Sequence, residues 1–315
     1  MRKLSRYFEN QTPDLLVPAP EDDAAVWRGD PFVVATVDTL VEGIDFRLDW
    51  PGFDFRVLGR RLLAINLSDL AAMGAEPRHA LVSLCLRRDM RAADVDRLYR
   101  GLAEQARRFR CSIAGGDLSA TEGPLTATVA LIGRVASARR LLKRAGAKPG
   151  WQIAVTGSLG GAAAGLRLLE AGQDPRVPAE RDWVSRQLDP QPRIDAGRTL
   201  VETGVRVAGD ISDGLYREVE KLTQPQGLGA TLDLQRLPLA RGLGSDQWRL
   251  GLADSEDFEL ICAAPAVRMR EAAKALRASA SPLTIVGTID AARGIRLRAG
   301  QAPVAMERVG YQHFR

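Results

Sequence analysis

The stretch Val207-Ala-Gly-Asp-Ile-Ser-Asp-Gly-Leu215 constrains this chain most. An apolar run ends at Gly209, two carboxylates follow at Asp210 and Asp213 with Ser212 between them, and Leu215 to Leu222 reads as the first turns of a helix. Two acids three residues apart at the end of a strand can point into one small volume, and the flanking glycines let backbone approach a ligand closely. Like charges a few ångströms apart repel, so such a pair calls for a cation. Magnesium suits it, because that ion takes carboxylate oxygens together with those of a phosphate. The plainer alternative is an Asx-turn in which Asp213 caps the helix.

The chain has 315 residues, enough for two domains with cores of their own. Its net charge of +5 is carried mostly by arginines scattered along helical stretches such as 88–110. No block of like charge or interleaved aromatics marks a nucleic-acid surface, while a mild positive balance suits anionic small molecules. Cys85, Cys111 and Cys262 each sit in an apolar run without a C-x-x-C pair, so they read as buried thiols of a reducing compartment. The N-terminal stretch has no apolar h-region and no run reaches membrane-spanning length, which predicts a cytoplasmic protein that meets no membrane. His79 and His313 are the only histidines, so chemistry built on imidazole is short of candidates.

Taken in order, residues 3–9 read as a short amphipathic helix and 10–21 as Pro-rich loop. The run from Phe32 to Val37 is a buried strand ending in Asp38. A long apolar helix over 54–73 carries Asn66, Ser68 and Asp69. A strand over 80–86, a helix over 92–109, a short strand from Cys111 ending in Gly115-Gly116-Asp117 and a strand over 125–135 complete an α+β domain spanning 1–148. The turn-rich 145–150 segment makes the boundary. In the second domain, 149–315, the pattern predicts strands near 151–156, 230–234, 258–263, 283–286 and 295–297. Helices are expected up to 170 and over 193–203, 215–223 and 267–279, with 171–190 rich in loop. Three apolar strand runs thus end in an acid, at Asp38, Asp117 and Asp210. With Asp23, Asp69 and Asp213 they make six carboxylates at strand ends or inside a buried helix, where ligand sites form. Their mutual repulsion implies two or more magnesium ions and a polyphosphate.

The common nucleotide motifs are missing. There is no Gly-Lys dipeptide and hence no P-loop, the 157–165 glycines lack the dinucleotide spacing, and no G-x-S-x-G occurs. Spacing alone leaves open a glycosidase-like carboxylate pair, though that would not explain so many acids beside glycines.

The motifs that carry a resemblance are DDAAV at 22–26, VDTLVEG at 37–43, NLSDLAAMGAEP at 66–77, AGGDLSATEGPL at 114–125, RAGAKPG at 144–150, VTGSLGG at 155–161, GDISDGL at 209–215 and SEDFEL at 255–260. In this order and spacing the chain resembles the thiamine-monophosphate kinases of the aminoimidazole-ribotide-synthetase-like superfamily. The resemblance implies an α+β fold of two domains. The N-terminal one binds ATP and magnesium and forms a homodimer through its strands; the C-terminal one is α/β. It implies an ATP- and Mg2+-dependent enzyme that phosphorylates thiamine phosphate to thiamine diphosphate. Carried over by position, Asp23, Asp38, Asp69, Asp117, Asp210 and Asp213 match magnesium ligands. Gly116, Asp117, Arg144 and Ser212 match ATP-contacting positions. Asp45, Glu256 and Tyr311 match positions that hold the thiamine substrate. Asp210, Asp213 and Arg144 are the expected catalytic groups, Arg144 by neutralising phosphate oxygens, while Tyr311 would stack on a cationic ring. The chain departs from the pattern at Pro18-Ala-Pro-Glu21, where the family has glycines, at Val37 for a threonine, at Ser255 for a glycine and at Asp45 for the substrate-binding histidine. The alternatives are another ATP-dependent enzyme of the superfamily, or a nucleotide-binding module without turnover. A selenophosphate synthetase would need a reactive cysteine near the start, and the hydrogenase-maturation dehydratase one at the end; the first cysteine is Cys85 and the chain ends YQHFR.

Overall fold

The computed structural model describes residues 32–253 and 255–306, with two short strands before them, β1 (Leu15–Val17) and β2 (Val26–Trp27), which pair antiparallel. The helix expected over 3–9 and the site positions Asp23 and Tyr311 lie outside the described residues. The chain forms two compact units, the first of Met1–Leu70 and Ala75–Ala138 and the second of Ala71–Gly74 and Arg139–Arg315.

In the first unit β3 (Val33–Val41) is followed by helix α1 (Phe55–Ala72), β4 (Glu76–Arg87), helix α2 (Ala92–Arg108), β5 (Ser112–Thr121) and β6 (Thr126–Arg134). The sheet order is β3-β6-β4-β5, antiparallel except for the β4/β5 pair. The long apolar run of α1 puts Leu62, Leu63, Leu67 and Leu70 in the core. Helices α1 and α2 cross at glycines. A Cβ on Gly59 would lie 2.0 Å from the Leu98 carbonyl oxygen, and one on Gly101 1.9 Å from that of Arg56. Two strands run further than the sequence predicts. Asp38 stands in the middle of β3 and Asp117 in the middle of β5 rather than at their ends. The cause is the two-residue alternation of strands, which sets an acid on one face without stopping the ladder.

The second unit contains β7 (Gln152–Thr156), α3 (Gly161–Glu170), α4 (Pro178–Leu188), α5 (Ile194–Glu202), β8 (Val207–Ile211), α6 (Leu215–Thr223), β9 (Gly229–Asp233), α7 (Trp248–Ala253), β10 (Glu259–Ala264), α8 (Ala266–Leu276), β11 (Leu283–Asp290), β12 (Gly294–Ala299) and β13 (Ala302–Val304). Seven strands form one sheet in the order β13-β12-β9-β11-β7-β10-β8, with β12/β9 the parallel pair. Ile153, Val155, Ile211, Val219, Leu232, Ile261 and Val286 belong to its fully buried core. At the sheet edge Lys143 adds backbone bonds to β8, donating to Arg206 O at 3.0 Å and accepting from Ala208 N at 3.1 Å. This fixes the neighbouring Arg144 over the strand. The segment expected to be loop-rich contains α4. Pro178 opens that helix, and the Glu180 carboxylate accepts from the Arg176 and Val177 amides at 2.6 and 3.2 Å, satisfying donors that would otherwise be unpaired.

Candidate active site

The first unit places three of the expected carboxylates on its sheet and on α1. Thr36 Oγ1 donates to Asp69 Oδ2 at 2.5 Å, and the Asp38 amide donates to Asn66 Oδ1 at 3.1 Å. Asn66 is fully buried and returns its own Nδ2 to Leu62 O at 3.0 Å. The polar residues inside α1 are therefore what tie it to the strand that carries Asp38. On β5, Ser119 Oγ donates to Asp117 Oδ2 at 2.8 Å. The charge of Asp117 reaches the phenol of buried Tyr99 on α2, which burial in the first place and Asp117 in the second push up to about 12. Gly116 is required by contact: a Cβ there would meet the Val82 carbonyl oxygen at 1.8 Å, inside the β4/β5 pair.

Asp45 has a local job. Its Oδ2 accepts the Val41 amide at 2.7 Å, its own amide donates to Val41 O at 2.9 Å, and its carbonyl accepts from Arg61 Nη1 at 2.8 Å. The carboxylate closes the turn at the end of β3.

The second unit brings together Arg144, Asp210 and Asp213, with Ser212 half-buried between the acids. Asp210 is 2% exposed near the end of β8, and Arg144 Nη2 lies 3.7 Å from its Oδ1. The arginine packs over the strand at Gly209, its Nε 3.4 Å from where a Cβ would stand. Asp213 Oδ2 accepts from Lys221 Nζ at 2.7 Å, and the same ammonium donates to Glu218 Oε1 at 2.6 Å. Arg144 Nη2 reaches Glu218 Oε2 at 3.5 Å. Burial raises the Glu218 carboxyl above the usual range, against the opposing pull of Lys221 and Arg144. Burial lowers Lys221, but its hydrogen bonds to Asp213 and Glu218 outweigh that and leave it above the usual lysine value. Glu218 and Lys221 are absent from the sequence expectation. The signal for Glu218 is its place in the apolar stripe Leu215, Val219 and Leu222, all buried.

The 255–260 motif divides its acids among different tasks. Glu256, the expected substrate contact, is half-buried and accepts from Gln187 Nε2 at 3.3 Å. Asp257 accepts the Gly160 and Ala162 amides at 2.7 and 3.2 Å at the start of α3, and burial pushes its carboxyl up to about 6. Glu259, fully buried, takes Arg193 in a two-pronged pair at 2.8 and 2.5 Å and Thr156 Oγ1 at 2.7 Å. Gly157, at φ +57°, is open at the position where a side chain would strike that carboxylate.

Among the described residues no three acidic, histidine or cysteine side chains gather into a metal-holding group. The oxygen donors present are nonetheless those magnesium prefers, and the Asp210–Asp213 turn already draws two cationic side chains.

Two family models match the chain. That of the AIR synthase related protein N-terminal domain covers residues 21–135, and that of the C-terminal domain covers residues 148–300. The thiamine-monophosphate kinase of Rhodopirellula baltica is 33% identical over 313 residues, covering 93% of this chain and 89% of that one. The crystal structure of the thiamine-monophosphate kinase from Stenotrophomonas maltophilia superposes with a TM-score of 0.84 at 28% identity, over 95% of each chain. A structure of AaThiL complexed with AMPPCP and TMP superposes with a TM-score of 0.78 at 26% identity, over 99% of this chain and 94% of the other.

Proposed function

The chain belongs to the AIR synthase related proteins, and among them to the thiamine-monophosphate kinases, and from that membership we propose that it transfers the γ-phosphoryl group of ATP to thiamine phosphate, giving thiamine diphosphate and ADP. The observation that carries this reading is the acidic turn of Asp210 and Asp213 with Arg144 and Lys221 beside it, a balance of charge suited to a metal-bound polyphosphate. The related complex with AMPPCP, an ATP analogue, and TMP, read as thiamine phosphate, supports the same pair of substrates. The acceptor phosphate is itself an anionic nucleophile at neutral pH, so no general base is required, in keeping with two histidines in the whole chain. Attack on the γ-phosphorus is in line, and ADP leaves. Arg144 neutralises charge on the phosphate oxygens, and the amides that begin α6 beside Ser212 face an anion favourably. Asp38, Asp69 and Asp117 of the first unit, with Asp23, and Asp210 and Asp213 of the second are the ligands this reading assigns to two or more magnesium ions, which when bound would withdraw charge from the ATP phosphates. Glu256 and Tyr311 hold the thiamine end.

The enzyme works as a homodimer, with the sheet of the first unit as the shared face. Val33 and Val37 on β3 are 55% and 61% exposed and lie on one face with Ala35, an apolar stripe that a second copy would cover. Light scattering should report a dimer, and Val37→Arg should shift it to monomer. No helix among the described residues is long and apolar enough to cross a membrane. The reading places the protein in the cytoplasm, where its ATP is available and the buried thiols of Cys111 and Cys262 stay reduced.

Incubation with ATP, magnesium and thiamine phosphate, followed by mass analysis, tests the assignment. Thiamine diphosphate and ADP should form one for one. ADP and free phosphate with thiamine phosphate unchanged would sink it.

A further inference from the structure

Glu218 sits in the first turns of α6 with 1% of its surface exposed, too deep to touch a phosphate and of the wrong charge to welcome one. Both of its oxygens are nonetheless engaged by cations that do face the acidic turn. Lys221 Nζ bridges Glu218 Oε1 at 2.6 Å and Asp213 Oδ2 at 2.7 Å. Arg144 Nη2 lies 3.5 Å from Glu218 Oε2 and 3.7 Å from Asp210 Oδ1. We propose that Glu218 is a positioning residue that holds Arg144 and Lys221 as a pair of cations at the Asp210–Asp213 turn, so that a side chain remote from substrate sets the charge that receives the ATP phosphates. The inference rests on the function proposed above.

Several physical points converge on it. The Arg144 side chain is 48% exposed, and an exposed ion pair at the 3.7 Å of its contact with Asp210 holds a long side chain weakly. A carboxylate inside the protein, where charge is poorly screened, holds it better. Glu218 and Lys221 are three residues apart and share a face of α6, so the helix itself presents the ammonium toward Asp213. The arginine stem lies along β8 at Gly209, its Cγ 3.7 Å from where a Cβ would stand, between the strand that carries Asp210 and the helix that carries Glu218. Glu218 also gives Lys221 a second partner, so a metal ion that takes over the Asp213 oxygen leaves the ammonium paired rather than stranded. A buried carboxylate with only a packing role would have no reason to be shared between two cations that each reach a different acid of the same turn.

The test is a double-mutant cycle read by calorimetric binding of AMPPCP at fixed magnesium, with no acceptor present. Glu218→Gln keeps the shape and removes the charge. It should weaken AMPPCP binding about tenfold, as expected for losing a hydrogen bond to a charged group. The Michaelis constant for ATP should rise in parallel, with that for thiamine phosphate unchanged. In an Arg144→Ala, Lys221→Met background the same change should cost less than about threefold, the range within which unrelated changes simply add. Glu218→Asp, which keeps the charge, should recover part of the affinity and guards against a Gln variant that does not fold. A change of less than about threefold in wild-type background, or an undiminished loss when both cations are gone, overturns the proposal. Normal AMPPCP binding with thiamine phosphate left unconverted defeats the acceptor assignment alone, because the cycle is read without acceptor.

Discussion

Replacing Arg193 with methionine should destabilise the second unit far more than its position on an ordinary helix start would indicate. Its guanidinium supplies two of the three hydrogen bonds that Glu259 accepts, at 2.8 and 2.5 Å, and Glu259 has no exposed surface. In Arg193→Met the carboxylate keeps only Thr156 Oγ1 at 2.7 Å. Removing one partner of a buried ion pair costs roughly 3–5 kcal/mol, because the remaining charge is left desolvated. At about 2–4 °C per kcal/mol for a domain of this size, the melting temperature should fall by on the order of 10 °C. The control is the double variant Arg193→Met, Glu259→Met, which removes the charge as well as its partner. Apolar replacements of a buried pair are often neutral, so the double variant should melt well above the single one. Calorimetric melts at neutral pH decide between them. A single variant within about 1 kcal/mol of wild type, or a double variant less stable than the single, would refute the reasoning, since the cost would then come from lost packing and not from stranded charge.

Gly116→Ala should cost about 3 kcal/mol or more and expose Asp117 to misplacement, because its Cβ would lie 1.8 Å from the Val82 carbonyl; Gly123→Ala, whose nearest neighbour is Thr121 Oγ1 at 3.4 Å, is the control, and chemical denaturation reads both. Asp257 titrates near 6 in the folded chain against an ordinary 3.8, so between those values the folded state keeps a proton that the unfolded state has lost. Its stabilising contribution is therefore full below about pH 4 and fades as pH rises to about 6, and Asp257→Asn should gain about 3 kcal/mol relative to wild type between pH 4 and 7, read as the difference between their melting curves. Asp210→Asn or Asp213→Asn should abolish turnover while leaving circular dichroism and melting near wild type; activity within a few-fold of wild type would make these acids mere caps.

The long elements are legible because their patterns are redundant. Helix α1 announces itself through an apolar run that buries Leu58, Leu62, Leu67 and Leu70, and the turn at 209–215 through its glycines and acids. Sequence reasoning fails where one residue carries two meanings. An acid at the end of an apolar run suggests the end of β3 or β5, yet Asp38 shares a face with Thr36, opposite exposed Val37, and the strand continues through it. Helix α4 escapes because its buried residues are few, Val184, Gln187 and Leu188, and Pro178 looks like a breaker when it is the opening residue. Glu218 and Lys221 escape because charges on a short helix ordinarily face water; the one hint otherwise is that Glu218 falls in the buried stripe of Leu215, Val219 and Leu222.

Residue type alone does not sort the acids of this chain; their donors do. Asp45 and Asp257 accept backbone amides, Asp45 that of Val41 and Asp257 those of Gly160 and Ala162. A carboxylate spent on peptide groups fixes the path of the chain and needs no metal to balance it. Asp69 and Asp117 accept from hydroxyls, which supply hydrogen bonds but no charge, so both carboxylates keep their demand for a cation. Asp210 and Asp213 answer to Arg144 and Lys221, cations that the protein itself provides. The consequence is sharpest at Asp45, where the family resemblance leads to the expectation of a histidine. Its turn is closed by the side chain at Val41 N and by the main chain at Val41 O, and Arg61 braces it from α1. The carboxylate holds the turn through Oδ2, and its negative charge would repel an acceptor phosphate at short range unless a cation lay between them. Asp45 Oδ2 is thus committed to the turn, whose tip carries exposed Ile44.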